Sequence, residues 1–163
     1  MTNTGVKPAT ILSVLRMTKS ETFANLRTIY NVRVNMRNEQ LAGSSPVEAF
    51  LDNLQESEWV NHVEANEVGN IIVLFFAHPD SVQLANQYNH VVVMDCTYKT
   101  NRYRMPLLHI IGMTAFNTTF TVGFCFLAME KLENYLWAMS KLSTLWENGS
   151  APKVILKAGN WPL

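Results

Sequence analysis

Residues 91–113 decide the fold, and they read VVVMDCTYKTNRYRMPLLHIIGM. The four residues from Val91 to Met94 are apolar without alternation, which is typical of a strand buried on both faces of a sheet. This run ends on Asp95. A carboxylate next to a buried strand is costly unless a partner, a metal ion or solvent compensates its charge. Asp95 is therefore the first candidate site residue, and capping of the following turn is its structural alternative.

The segments after this run predict two more strands, a helix and a fourth strand. A second apolar run spans residues 105–116, and Asn117-Thr118 predict a turn into a third strand at 119–128. We expect one face of this third strand to pack under a helix, because its side chains are large: Phe120, Val122, Phe124 and Phe126. Apolar residues at helical spacing predict that helix at 130–147, and a further strand begins at Pro152.

The segments before Val91 predict helices and then a hairpin. A short helix is expected at 8–17, a second between Phe23 and Leu41, and a third capped by Ser45. Two strands follow at 59–65 and 70–77, and a helical turn spans 80–88. The sequence thus predicts an α/β (α+β) protein with a helical linker segment at 1–57 and a domain at 58–163, whose core starts near residue 90.

Composition sets limits on the class of protein. The 13 basic and 13 acidic residues cancel, so no global positive field indicates a nucleic-acid partner. Cys96 and Cys125 offer neither a disulfide framework nor zinc-ligand spacing, and we expect both to be reduced thiols. No secretory signal and no apolar stretch of about 20 residues is present, so we expect an intracellular protein that does not span a membrane.

Three motifs carry a resemblance to a known family. Residues 95–103 read DCTYKTNRY, residues 130–137 read EKLENYLW, and residues 152–155 read PKVI. The first resembles the D-x-T-Y-x-T-N context of the first catalytic aspartate in Mutator-like element (MULE) transposases. The second resembles the E-x-x-x-Y-x-W helix start of that family, with one more residue between Glu130 and Tyr135. The third is similar to the beginning of the family's next strand. Upstream, residues 5–8 and 29–31 are similar to the segment that precedes the family's core.

This resemblance implies an RNase H-like core with the order strand, strand, strand, helix, strand. It also implies a DDE-type centre, in which three acidic residues hold two Mg²⁺ or Mn²⁺ ions for DNA cutting and joining. Two-metal phosphoryl transfer needs several carboxylates around ions about 3.5–4 Å apart. Asp95 would be the first catalytic and metal-binding acid. DNA as the partner and a nuclear location follow from the same resemblance.

The sequence departs from the family pattern after the fourth strand. Ala158 stands where the second aspartate is expected, and the chain ends at Leu163 without a third acid. We therefore expect a truncated or degenerate transposase core in which Asp95 is vestigial. One alternative is a domesticated DNA-binding or transcription-regulatory protein derived from a transposase. Another is an incomplete gene model of an active transposase.

The other candidate site residues each have a functional and a structural interpretation. Glu130 either contributes to metal binding or satisfies the start of a helix, where a carboxylate is favourable. Lys99, Arg102 and Arg104, with Tyr98, either bind DNA phosphates and bases or form a polar turn whose tyrosines pack inward. His109 is interpreted as a hydrogen-bonded residue of an apolar strand.

Because the final elements of the family's core are absent from this sequence, we also expect one edge and part of one face of the sheet to be uncovered. We expect an exposed apolar patch that promotes oligomerisation or partner binding and includes residues from the set Leu107, Ile111, Met113 and Leu127.

Overall fold

The computed structural model describes residues 6–19, 21–41, 43–98, 100–146 and 151–158. Within this part of the chain the protein is a mixed α/β structure with five helices and one six-stranded sheet. The helices are α1 (Pro8–Thr18), α2 (Leu26–Leu41), α3 (Pro46–Glu56), α4 (Pro79–Gln87) and α5 (Leu132–Ser143). The strands are β1 (Val60–Ala65), β2 (Ile71–Ala77), β3 (Val91–Thr97), β4 (Leu107–Met113), β5 (Thr119–Leu127) and β6 (Val154–Lys157).

Residue contacts divide the chain into two compact units, Met1–Asp52 and Asn53–Leu163. The first unit is helical. Ser45 caps α3 as expected, because its hydroxyl accepts from the Glu48 N–H at 3.2 Å while the Glu48 carboxylate accepts from the Ser45 N–H at 2.6 Å. Helix α2 starts later than the apolar spacing predicts, because Asn25 caps it by accepting from the Thr28 N–H at 2.9 Å. Phe23 therefore lies outside the helix and is 99% exposed.

The second unit contains the sheet, whose strand order is β1-β2-β5-β4-β3-β6. Strands β3, β4 and β5 form an antiparallel meander, and β6 returns to pair in parallel with the outer edge of β3. The predicted order of three strands, a helix and a fourth strand is therefore confirmed. The predicted hairpin is also confirmed, since β1 pairs antiparallel with β2. Its turn uses Gly69 at a φ of +86°, a conformation that favours glycine.

The face of β5 that meets the core agrees with the predicted one at Phe120 and Val122 but is the opposite one after Val122. Tyr135, Ala138 and Leu142 of α5 belong to one core cluster with Cys125 and Leu127. Phe124 and Phe126 point to the other face and are only half-buried. The physical reason is a bulge: Ile110 pairs with Gly123 but Ile111 pairs with Thr121, so Val122 is an extra residue and joins the core face.

The exposed apolar patch is not where the sequence places it. Leu127 is fully buried in the core, and the other three residues named for the patch, Leu107, Ile111 and Met113, are half-buried. Edge strand β6 instead carries three consecutive exposed apolar side chains, Val154, Ile155 and Leu156, which are 45%, 51% and 52% exposed. An uncovered edge of this kind is open to pairing with another chain.

Among the described helices, none combines the length and apolar character that a bilayer span requires.

Candidate nucleic-acid and metal site around Asp95

Asp95 lies inside β3, two residues before the strand ends at Thr97, and its side chain is exposed. It pairs with His109 of β4, which in turn pairs with Phe124 of β5. Paired residues of neighbouring strands share a face of the sheet. Phe124 pairs with Phe76 of β2, so four strands contribute one transverse row of side chains. We call Phe76, Phe124, His109 and Asp95 the Asp95 row.

Ala158 lies beside Asp95 at the end of β6. Its N–H donates to the carbonyl oxygen of Met94 at 2.8 Å, which extends the parallel register in which Met94 pairs with Lys157. Since neighbouring strands lie about 5 Å apart, Ala158, directly after β6, is adjacent to Asp95 of β3. The predicted juxtaposition of these two residues is thereby confirmed. A methyl group stands next to Asp95, and it offers no ligand to a cation.

Glu130 lies on the opposite side of the sheet from Asp95. The Tyr135 hydroxyl donates to its Oε1 at 3.0 Å, and Cys96 and Tyr98 also hydrogen-bond to its carboxylate. Cys96 pairs with buried Leu108, on the face that α5 covers, whereas Asp95 points to the other face. The structure therefore does not bring Glu130 and Asp95 together, and it supports the structural interpretation of Glu130.

The Glu130 cluster (Cys96, Tyr98, Glu130 and Tyr135) has a consistent electrostatic pattern. Partial burial raises the pKa of Glu130, but the hydrogen bonds from Tyr98, Cys96 and Tyr135 together lower it below the usual value. The hydrogen bond to Glu130 raises the pKa of Tyr98 to about 12, and burial raises the pKa of Cys96 to about 11. These groups therefore stay as an ionised carboxylate and neutral donors near neutral pH, and Tyr98 interacts with Glu130, two residues before α5 begins.

The loop after Tyr98 is held by Asn101. Its Oδ1 accepts from the N–H groups of Tyr103 at 3.0 Å and Met105 at 3.2 Å, and its Nδ2 donates to the Met105 carbonyl at 2.6 Å. Arg102 lies over the Tyr103 ring at 4.9 Å, and Arg104 adopts a φ of +59°. Lys99, the third basic residue of the predicted patch, lies outside the described residues.

Both arginines of this loop are exposed, and so are its tyrosines. Tyr98 is 57% and Tyr103 is 48% exposed, so the interpretation of a polar turn with its tyrosines packed inward is wrong. Arg102 and Arg104 are accessible to a phosphate backbone. The loop lies directly after β3, three residues along the chain from Asp95.

Aromatic side chains of the Asp95 row were missed as site residues. The His109 ring stacks on Phe124 with centroids 4.7 Å apart, and Phe124 lies 5.6 Å from Phe76. The predicted hydrogen bonding of His109 is confirmed, since its Nε2 lies 2.9 Å from the Thr121 hydroxyl. Partial burial lowers the pKa of His109, and the charge of Asp95 opposes this change. Because of the bulge at Val122, a simple alternating pattern in the sequence does not identify this row.

The fold and site define a mixed α/β domain with one acidic side chain at the end of an aromatic row. Residues 91–159, which contain Asp95, Glu130 and Ala158, match the family model of the MULE transposase domain. This segment is therefore similar to the MULE transposase domain.

Two curated relatives extend the similarity. The PKS-NRPS hybrid synthetase cheA of Chaetomium globosum is 25% identical over 82% of this chain. Protein FAR1-RELATED SEQUENCE 5 of Arabidopsis thaliana is 24% identical over 66% of it. The chain spans 3% of the first relative and 14% of the second. No solved structure matches this chain.

Proposed function

We propose that this protein is a transposase-derived DNA-binding protein with an RNase H-like core that does not cut DNA. The observation that carries the proposal is the alanine beside Asp95. In the family pattern a second carboxylate stands at the position of Ala158, and the backbone hydrogen bond from Ala158 to Met94 keeps that position next to β3. The backbone arrangement that would hold two neighbouring acids is therefore present, but alanine replaces the acid at position 158.

The residues around Asp95 do not fit a two-metal centre. Two divalent ions need several converging oxygen ligands, and Asp95 supplies one carboxylate. Glu130 lies on the other face, in hydrogen bonds with two tyrosines. Within the described ranges, no group of three or more His, Cys, Asp or Glu side chains is placed to hold a metal ion. Asp95 alone supports at most weak binding of a single Mg²⁺ or Mn²⁺ ion.

A retained regulatory role is the second candidate function. Arg102 and Arg104 remain exposed on a loop that Asn101 orders, although the neighbouring acid position is replaced. A loop with this charge supports binding to DNA phosphates independent of cleavage. Such a protein acts by occupying DNA and resides in the nucleus.

The purified protein is expected to leave supercoiled plasmid DNA uncut in Mg²⁺ or Mn²⁺, and the Asp95→Asn variant is expected to behave identically. One carboxylate leaves most of the charge of two ions and of the transition state uncompensated. Gel analysis of nicked and linear plasmid measures the result, with thermal unfolding curves to show that both proteins are folded. Metal-dependent nicking by the wild-type chain that disappears in Asp95→Asn would overturn the proposal.

DNA binding is expected to weaken when Arg102→Gln and Arg104→Gln are combined. If each arginine neutralises one phosphate, the slope of log K against log salt concentration should fall by roughly 1.8. Fluorescence anisotropy with a labelled duplex at several salt concentrations measures this slope. The combination of Arg16→Gln and Arg27→Gln in the helical unit removes the same charge and is the matched control. Equal loss in both double variants would indicate a net-charge effect and contradict a role for the loop.

A further inference from the structure

The short segment between β5 and α5 contains Glu130, and its backbone is held on both sides of this residue. On one side, the Leu127 N–H donates to the Pro106 carbonyl at 3.0 Å. On the other side, the buried Asn134 side chain donates from Nδ2 to the Met129 carbonyl at 2.7 Å. The Glu130 carboxylate is therefore attached to a fixed backbone and can act as a fixed hydrogen-bond acceptor.

This carboxylate connects α5 with the end of β3. The hydroxyl of Tyr135, which belongs to the core, donates to its Oε1 at 3.0 Å. Tyr98, the residue after β3, hydrogen-bonds to the same carboxylate. Tyr98 is 57% exposed, so burial contributes little to its position. The hydrogen bond to Glu130 therefore ties Tyr98 to the segment before α5.

Tyr98 is also the first residue of the loop that carries the two exposed arginines. Asn101 shapes the second part of this loop through its hydrogen bonds to Tyr103 and Met105. These hydrogen bonds join residues of the same loop, so they set its internal shape but not its position relative to α5. The hydrogen bond between Tyr98 and Glu130 supplies a connection to that helix.

The charge of Glu130 gives this connection a distinctive signature. A negative side chain near a DNA-binding loop repels phosphates, so its removal should strengthen DNA binding if charge alone matters. A loop that is already ordered loses less conformational entropy on binding than a mobile one. If Glu130 orders the loop, its removal should weaken DNA binding instead. The two roles therefore predict effects of opposite sign.

We propose that Glu130 is a positioning residue for DNA binding, which holds Tyr98 and thereby places Arg102 and Arg104 for contact with DNA phosphates. This inference rests on the proposed DNA-binding function and names the residue that orients its basic loop. Glu130 acts through the Tyr98 hydroxyl. Loss of the acceptor and loss of this hydroxyl should therefore have the same effect.

The first test measures binding of a labelled DNA duplex by fluorescence anisotropy at a fixed salt concentration. Glu130→Ala and Tyr98→Phe are each expected to weaken binding about three- to tenfold. Glu130→Gln keeps an acceptor oxygen and should stay within about twofold of the wild-type affinity. Glu133→Ala removes the same charge from the exposed first turn of α5, so it is the matched control and should not weaken binding. Since Tyr98 is exposed, Tyr98→Phe tests the same hydrogen bond even if Glu130→Ala does not fold.

Dependence on the loop is tested in the protein that already carries Arg102→Gln and Arg104→Gln. Adding Glu130→Ala to this variant should change DNA binding by less than about twofold, because the contacts that Glu130 places are already lost. If Glu130→Ala weakens binding in this variant as strongly as in the wild-type protein, Glu130 acts through another part of the molecule and the inference is overturned.

The second test measures NMR relaxation of the Arg102 and Arg104 backbone amides without DNA. Their order parameters are expected to fall from about 0.85 to below about 0.6 in Glu130→Ala and in Tyr98→Phe, and to stay unchanged in Glu133→Ala. Unchanged order parameters in the first two variants overturn the inference, and DNA binding by the wild-type chain then leaves the proposed function intact. If the order parameters fall but the wild-type chain binds no DNA, the proposed function fails while Glu130 retains its role in ordering the loop.

Discussion

The Ala158→Asp variant is expected to bind Mn²⁺ at least about tenfold more tightly than the wild-type protein, a difference of about 1.4 kcal/mol. Ala158 and Asp95 occupy adjacent positions, and the parallel register places both on the same face of the sheet. The introduced carboxylate would add a hard oxygen ligand to the one that Asp95 supplies. Isothermal titration calorimetry measures the affinity.

Thermal unfolding gives an independent readout of the same variant. Without metal, two like charges side by side should lower its stability, and saturating Mn²⁺ should restore it by mass action. Ala158→Asn has nearly the same shape without the charge, and should bind no better than wild type. Adding Asp95→Asn to Ala158→Asp should cancel the gain. If Ala158→Asn gains as much affinity as Ala158→Asp, the introduced charge is not what binds the metal.

The Trp146→Ala variant is expected to lose about 3–5 kcal/mol of unfolding free energy. Trp146 is buried just after α5, and its indole N–H donates to the Ala85 carbonyl of α4 at 2.9 Å. Truncation removes a large apolar side chain and leaves a buried carbonyl without its donor. Since whole domains are stable by about 5–15 kcal/mol, such a loss should shift the urea midpoint far downward.

Urea unfolding followed by circular dichroism measures the change. Trp137→Ala is the matched control, because this indole is half-buried on α5 and packs at the border of the core beside Lys141. Its loss should be clearly smaller. Trp146→Phe keeps most of the apolar volume but no donor, so it should lie between wild type and Trp146→Ala. Similar losses at positions 137 and 146 would refute the central role of the α4 contact.

Local sequence patterns predicted the order of elements around Asp95 well. An apolar run such as 91–94 predicts a buried strand, and regular apolar spacing predicts a helix with one buried face. Pairing of β6 with β3 then places Ala158 next to Asp95. The resemblance of residues 95–103 to a family motif located the aspartate itself. The RNase H-like architecture and the loss of activity stay predictions.

The orientation of side chains was harder to predict. One extra residue at Val122 reverses which residues after it face the core, and no alternation in the sequence marks this change. Whether Leu127 is exposed depends on which face of β5 the following helix covers, and the strand pattern alone does not show this. The sequence did not predict the Asp95 row, because its members come from β2, β3, β4 and β5 and become neighbours only through strand pairing.

Strand β6, at the sheet edge next to Asp95, is expected to open more readily than the central strands. It has four residues, all exposed, and its register partners lie on β3 alone among the described residues. Segments with few buried contacts open at a small fraction of the global unfolding free energy. Backbone amides of β6 should therefore exchange hydrogen for deuterium long before those of β4 and β5. Each opening event exposes the backbone groups of β3 that pair with β6, so another chain can pair with this edge at a frequency set by the opening of β6.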